Sequence, residues 1–495
     1  MLMPAANQAQ MARRSEFLSA LRAIVPGEGV IDDHAALAAY ECDGLMAYRQ
    51  RPLAVVLPES VQQVSRVLAY CHSVGLNVVP RGAGTSLSGG ALPLADGIVL
   101  GLGKFNRILE IDYDNRCVVV QPCVTNVAVT DAVASEGFYY APDPSSQIIC
   151  SIGGNIAENS GGVHCLKYGM TSNNLLGLEL VLIDGTIMRL GGKHLDPAAL
   201  DLLGLVCGSE GLLCVVTEAT VRILRTPETQ RALLLGFREV ESAGACVAAV
   251  IAAGVVPAAM EIMDRIAIHA AEAFVHVGYP LDVEALLLIE LDGVEEEVDY
   301  LIDIVRQIGT QCGSVSTRTS SSEQQRKSFW AGRKAAFPAM GKISPDFYCV
   351  DGTIPRRELP HVLRTIGALS ASYGLRVANV FHAGDGNLHP LILYDADRAG
   401  ELERAEELGA AILKLCVEVG GVLTGEHGVG VEKRDLMDVQ FKQADLDQQQ
   451  RLKCAFDDCG LLNPGKVFPR LHRCAEMGRM HVHRGALRFA DIERL

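Results

Sequence analysis

A chain of 495 residues, 49% of them hydrophobic, is long enough for two or three domains with substantial cores and too apolar to be disordered. Its net charge of −15 argues against a nucleic-acid partner, which would require a basic face. The 15 cysteines are scattered and none forms Cys-x-x-Cys, which argues against an iron–sulfur cluster and points to a reducing cytosol.

Residues 1–48 read as an N-terminal helical segment. Arg13 and Arg14 precede Ser-Glu-Phe-Leu and not an apolar core, so no secretory signal is expected. Leu53–Leu57 reads as a buried strand ended by Pro58. Ser60 and Gln63 make a capping box for a helix with Val61, Val64, Val67, Leu68 and Cys71 at helical spacing. Val78 and Val79 form the next strand, which runs into Arg81-Gly-Ala-Gly-Thr-Ser-Leu-Ser-Gly-Gly90, and Ile98–Leu102 follows as the third strand of a βαβ unit. A second α/β region is expected from strand Cys117–Val120 and a helix around Val127–Ala134. It leads to the turn Pro142-Asp-Pro-Ser-Ser146 and a second glycine-rich stretch, Ser151-Ile-Gly-Gly-Asn-Ile-Ala-Glu-Asn-Ser-Gly-Gly162. Leu178–Met188 alternates around Asp184-Gly185, a hairpin signal. Leu212–Leu224 reads as a long strand, and Thr226-Pro227 closes a domain over 49–227.

From 228 to 425 strands such as Ala232–Phe237, Leu286–Leu291, Arg376–Phe381 and Leu391–Tyr394 alternate with helices near Val294–Gln307 and Ala405–Val419. The expectation is an α+β domain with an antiparallel sheet and helices on one face. The longest apolar run, Ala243–Met260, is interrupted by Gly254 and Pro257. It reads as a buried helix ending near Gly254, so no transmembrane segment is expected. Residues 426–495 hold helical Gln448–Asp458, Asn463-Pro-Gly-Lys466 and a tail from Pro469, a C-terminal segment expected to close on the first domain.

The two glycine-rich stretches carry the most chemistry. Glycine reaches backbone angles other residues avoid, so such loops present free N–H groups to a phosphate chain. The first stretch has neither the Walker pattern nor Gly-x-Gly-x-x-Gly. Taken singly it reads equally as a surface turn. Two loops together suit a long ligand with a pyrophosphate at one end and a ring system at the other. Further on, Asp385-Gly386-Asn387 is a tight turn that would bring His382 and His389 together. With Glu426 from Gly425-Glu-His-Gly428 they make two imidazoles and a carboxylate, a recognised catalytic metal set, with His427 free to act as a base. A lone His-x6-His pair is more often incidental.

The order Arg-Gly-Ala-Gly-Thr, Pro-Asp-Pro-Ser-Ser, Ile-Gly-Gly-Asn-x-Ala-x-Asn-x-Gly-Gly, Tyr168-Gly169 and Gly208-Ser-Glu-Gly211 resembles the FAD-binding domain of the vanillyl-alcohol-oxidase (PCMH-type) flavoproteins. The resemblance implies an α+β fold: a two-subdomain PCMH-type FAD-binding domain followed by a substrate domain. It assigns to FAD the residues Pro80, Arg81, Gly82, Ala83, Gly84, Thr85, Ser86, Ser88 and Gly89 of the first loop. From the second region it assigns Pro142, Asp143, Pro144, Ser145, Gly153, Gly154, Asn155, Asn159, Gly162, Tyr168 and Gly169, with Glu210, Gly211 and Asn463. Members often attach FAD through a histidine or cysteine. The only histidine in the loops and their flanks is His164, beside Cys165, so noncovalent FAD is expected.

The C-terminal half resembles the FAD-linked 2-hydroxy-acid dehydrogenases, a group including D-lactate, D-2-hydroxyglutarate and glycolate enzymes. Metal-containing members use this histidine and Glu-His pattern, which implies a divalent metal (Zn, Mn or Fe) on His382, His389 and Glu426. Tyr40-Glu-Cys-Asp-Gly-Leu45, Phe329-Trp-Ala-Gly-Arg-Lys334 and the tail with His472, His481 and His483 are nearest the glycolate-oxidising members. Leu391 stands where some hydroxyglutarate enzymes have asparagine, which disfavours a longer dicarboxylate. The expected activity is oxidation of a short 2-hydroxy acid, glycolate or alternatively D-lactate. His427 is the expected base and Arg333, with Lys334 second, the expected grip on the substrate carboxylate. From the residues alone, Arg333 reads equally as a structural ion pair. The resemblance also implies a second FAD-domain subunit and an iron–sulfur subunit, and a cytoplasmic complex peripheral to the inner face of the membrane. The tail histidines are expected at a docking surface. Two other classes stay open: a metal hydrolase, and a non-catalytic nucleotide-binding scaffold.

Overall fold

The computed structural model describes residues 3–194 and 200–469. The chain opens with helices Gln8–Ala12 and Arg14–Ile24, the second burying Phe17, Leu18 and Leu21. A four-stranded sheet follows in the order Val30–Ile31, Ala54–Val56, Gly97–Gly101, Asn77–Arg81. Its last three strands are parallel, as a βαβ unit requires. The crossover helix Val61–Val74 starts where Ser60 accepts the Gln63 N–H at 3.3 Å and stops at Gly75 in the left-handed region.

The second region departs from the expected α/β pattern. Its five strands, in the order Ile108–Asp112, Cys117–Val120, Val215–Arg222, Leu175–Val181, Ile187–Gly191, are antiparallel throughout. Only short helices connect them, so no parallel crossover forms. The Asp184-Gly185 hairpin is present, with Val181 opposite Ile187 and Asp184 Oδ1 accepting the Thr186 N–H at 2.8 Å.

The second domain is a seven-stranded sheet in the order Ser316–Thr319, Thr229–Phe237, Ala285–Gly293, Ala259–Asp264, Val377–Phe381, Pro390–Tyr394, Asp346–Cys349. Helices cover both faces, not one. Leu233, Leu235, Leu287 and Ile289 pack with Val247, Val298, Ile302, Ile366, Leu408 and Ile412 of helices Val240–Ala252, Glu295–Gln311, Leu359–Tyr373 and Glu401–Glu418. Ala232, Leu234, Leu286 and Leu288 pack instead with Ala267, Ile268, Phe329, Trp330 and Ala336 of helices Arg265–Val275 and Glu323–Ala339. The unbroken apolar run Leu286–Ile289 carries the reason: a strand that is hydrophobic at every position needs cover on both sides.

The C-terminal segment returns to the first domain. Helix Gln443–Phe456, five residues longer at its start than the sequence suggests, leads to Leu462, which bridges Val78 in parallel. The buried Lys453 ammonium gathers the Leu212 and Leu462 carbonyls at 2.6 and 2.8 Å and pairs with Asp457, tying the segment to the second region at Leu212. No helix among the described residues is long and apolar enough to cross a membrane. His472, His481 and His483 lie outside the described residues.

Candidate functional site

Strand Asn77–Arg81 delivers the first glycine loop at its C-terminal end, and helix Ile152–Glu158 carries the second. Ser151 caps that helix by accepting the Gly154 N–H at 3.3 Å. The two loops touch so closely that side chains are forbidden. A Cβ on Gly82 would lie 2.3 Å from Ser151 Oγ, and one on Gly153 would lie 2.6 Å from Pro122 Cβ. At these two positions it is close approach that favours glycine.

The loops open on a cavity of about 510 Å³. Of the residues assigned from the sequence, Pro80–Ser86, Pro144, Ser145, Gly153–Asn155, Glu210, Gly211, Asn463 and Lys334 line it. So do His382, His389, Glu426 and His427 at its other end. The two motifs thus face one space. The remaining assigned residues support the walls. Ser88 is buried and donates to the His427 carbonyl at 2.9 Å, and Gly89, at φ +78°, packs against Val431. The Pro142 carbonyl accepts from Asn126 at 3.0 Å, and Asn159 Oδ1 accepts the Ser172 N–H at 2.9 Å. Gly162 backs onto Asp143, Gly169 backs onto Asn173, and Tyr168 donates to Asp292 across the domain boundary. Asp143 pairs at 2.8 Å with His164, whose other nitrogen lies 3.3 Å from Glu290. His164 is thus a link between domains and not part of the cavity wall.

The imidazole cluster forms as the turn signal implied. The His382 carbonyl accepts the Asp385, Gly386 and Asn387 N–H groups, and Gly386 at φ +79° makes the reversal. Glu426 Oε1 sits 3.3 Å from His382 Nε2 and 3.0 Å from His389 Nε2. The His389 and His427 rings stack at 5.0 Å, and His427 Nε2 lies 3.9 Å from the same carboxylate oxygen. One donor atom from each of His382, His389 and Glu426 lies within 4.8 Å of the others. That suits a divalent cation with N/O ligands and positions left for substrate. Burial would lower the His382 pKa, yet Glu261 and Glu426 raise it to about 10. An overlapping set, Cys349 with His389 and His427, is the poorer one, because burial pushes the thiol pKa up and keeps it protonated.

Three buried groups that sequence reading missed hold this cluster. Glu261, on strand Ala259–Asp264, accepts from His382 Nδ1 at 2.8 Å, which aims Nε2 at Glu426. Asp351 accepts the backbone N–H groups of Gly425, Glu426 and His427 at 3.0 to 3.2 Å, and Lys433 Nζ donates to it at 3.0 Å. Burial alone would raise the Asp351 carboxyl; Lys433 and the neighbouring imidazoles hold it below the usual range. Burial, opposed by the charge of Asp351, lowers the His427 pKa to about 4, and its Nδ1 has no partner. It is a neutral imidazole facing the cavity.

Arg333 corrects the sequence reading. Its guanidinium is 2% exposed, donates from Nε to Glu261 at 2.8 Å, and does not line the cavity. A buried carboxylate needs a counter-charge, and Arg333 supplies it to Glu261, so it is not free for a substrate carboxylate. Lys334, one residue on, reaches the cavity instead.

Comparison with known proteins identifies the family. Residues 52–191 match the FAD binding domain family, and residues 226–467 match the C-terminal domain of FAD linked oxidases. The chain is 55% identical over 481 residues to the glycolate oxidase subunit GlcD of Escherichia coli K12, covering 97% of this chain and 96% of that protein. It is 32% identical over 421 residues to a D-lactate dehydrogenase of Archaeoglobus fulgidus, covering 84% and 91%. Among solved structures, 4-ethylphenol oxidase from Gulosibacter chungangensis superposes with a TM-score of 0.79 over 95% of this chain and 99% of that one. At 19% identity this similarity speaks for the fold.

Proposed function

This chain belongs to the FAD-linked oxidases, and from that premise we propose that it oxidises a short 2-hydroxy acid, glycolate to glyoxylate, with electrons passed to a partner subunit. The observation that carries the reading is the single cavity running from the glycine loops to the histidine cluster. FAD, when bound, would supply the two-electron acceptor, and a divalent metal would be held by His382, His389 and Glu426 and would supply a Lewis acid for the substrate oxygens. The chain's own groups do the rest. Neutral His427 takes the hydroxyl proton. Lys334 meets the carboxylate at the cavity wall. Phe337 and Pro338 close the wall beside it and favour a short substrate. Glu261 keeps His382 in one tautomer.

FAD binding is noncovalent in this reading. His164 is held away between Asp143 and Glu290. Burial raises the thiols of Cys123 and Cys214, which line the cavity, to about 12, so neither is a ready nucleophile. Work within a complex is supported by the Escherichia coli relative, a subunit by name, and in this reading the partners are another flavin-domain subunit and an iron–sulfur subunit. D-Lactate is the second candidate substrate, favoured by the Archaeoglobus relative. The test is anaerobic mixing of the FAD-loaded protein with glycolate, D-lactate and longer 2-hydroxy acids while flavin absorbance is followed. Fastest bleaching by glycolate is expected. A flavin bleached by none of them would overturn the reading.

A further inference from the structure

One carboxylate on the cavity wall has no place in this chemistry. Glu158 ends helix Ile152–Glu158 and lines the cavity. Its carboxyl is wedged between two backbones that have no side chain. A Cβ on Gly90 would lie 2.8 Å from Glu158 Oε1, and a Cβ on Gly428 would lie 2.0 Å from Oε2. Gly90 closes the first glycine loop and Gly428 follows the Glu426-His427 pair, so Glu158 sits where the two ends of the site meet. Its Oε2 is buried without a hydrogen-bond partner. The neighbouring Glu210 is treated differently: both of its oxygens accept backbone N–H groups, from Val429 at 2.6 Å and Gly430 at 2.7 Å.

The same Gly428 Cβ would lie 3.0 Å from Glu210 Oε1, so the two carboxyls share one backbone neighbour, and two buried anions there would repel. The one with donors at both oxygens keeps the charge, and the one with an orphaned oxygen keeps the proton. We propose that Glu158 is a neutral carboxylic acid whose O–H donates a hydrogen bond to the bound flavin nucleotide, in a loop region where a carboxylate would repel the cofactor's pyrophosphate. The charged groups around it agree. Burial, with Glu210 and Asp43 nearby, drives the Glu158 carboxyl well above its usual range, and Lys433 and Lys466 pull against this without cancelling it. Burial also depresses Lys466 to about 7, which weakens its pull. The Ser86 hydroxyl, beside Gly90 on the cavity lining, extends the same neutral polar wall.

The proposal rests on FAD occupying the cavity, and infrared difference spectroscopy separates the two ideas. In the apoprotein at neutral pH, wild type minus Glu158→Gln is expected to show a protonated carboxylic-acid C=O band, and FAD addition should move that band to lower frequency. FAD affinity gives a second measure. Glu158→Gln keeps a neutral donor and should bind FAD within about threefold of wild type. Glu158→Leu should bind about three- to tenfold more weakly, the worth of one neutral hydrogen bond. A missing acid band in a protein that binds FAD overturns the proposal, as does a band that FAD leaves unmoved, or a Glu158→Gln variant that binds FAD more than tenfold tighter. Failure of wild type to bind FAD overturns the reading of the cavity instead.

Discussion

The Nδ1 of His382 donates to Glu261 Oε1 at 2.8 Å, and that hydrogen bond, between residues 121 positions apart, sets the direction of the whole histidine cluster. Glu261 is itself clamped by Arg333. A carboxylate behind a ligating histidine fixes which nitrogen is free and raises its basicity. Glu261→Gln is expected to weaken divalent-metal binding about 10- to 100-fold, read by chelator competition, with FAD retained.

Arg333→Met should act on stability. It leaves Glu261 buried without its counter-charge, at a cost of about 3–5 kcal/mol in denaturant unfolding. An unchanged unfolding midpoint together with a raised KM would return Arg333 to the role of substrate grip. Lys334→Met is the complementary change. It is expected to raise KM for the 2-hydroxy acid at least tenfold with little effect on stability, because Lys334 is exposed.

His427→Ala should keep FAD and lose about a hundredfold to ten-thousandfold in the rate of flavin reduction by substrate, measured by anaerobic stopped flow. A variant reduced at the normal rate would remove His427 from the proton transfer.

Gly82→Ala places a methyl 2.3 Å from Ser151 Oγ and forces the two loops apart. The expected result is a folded protein purified with much less FAD than wild type. Adding Ser151→Gly removes the obstructing oxygen and should restore part of the FAD content.

The Asp143–His164–Glu290 link gives a pH dependence of definite sign. Burial lowers the His164 pKa, but Asp143 and Glu290 outweigh it and raise the imidazole to about 10 in the folded protein, against about 6.5 unfolded. The charged histidine therefore contributes its full stabilisation below about pH 6.5 and loses it as pH rises through about 10. His164→Gln should melt below wild type at pH 6, and the gap should close toward pH 10 in calorimetric scans.

Local chemistry made some of this legible without coordinates. The hairpin at Asp184-Gly185 and the reversal at Gly386 need residues that tolerate unusual backbone angles, so their positions show in the chain itself. The same holds for the glycine loops. Other expectations failed for a reason of range. Helices on both faces of the large sheet, and strands antiparallel in the smaller one, depend on which segments meet, and periodicity within a segment does not encode that. Ser88, Asp143 and Tyr168 sit inside the recognised motifs yet face neighbouring structure and not the cavity.

By itself the amino-acid sequence determined the two glycine loops, the His382–His389 turn and the Glu426-His427 pair, because close backbone approach and metal-type donors each admit few residue types. Tertiary structure alone decided that these motifs share one cavity, that Arg333 serves Glu261, and that Glu158 lies between Gly90 and Gly428. Those relationships join residues far apart in the chain, and a glutamate or arginine looks the same in sequence whether it faces water or a buried partner. Only burial, by stripping away solvent, turns each pairing into a requirement.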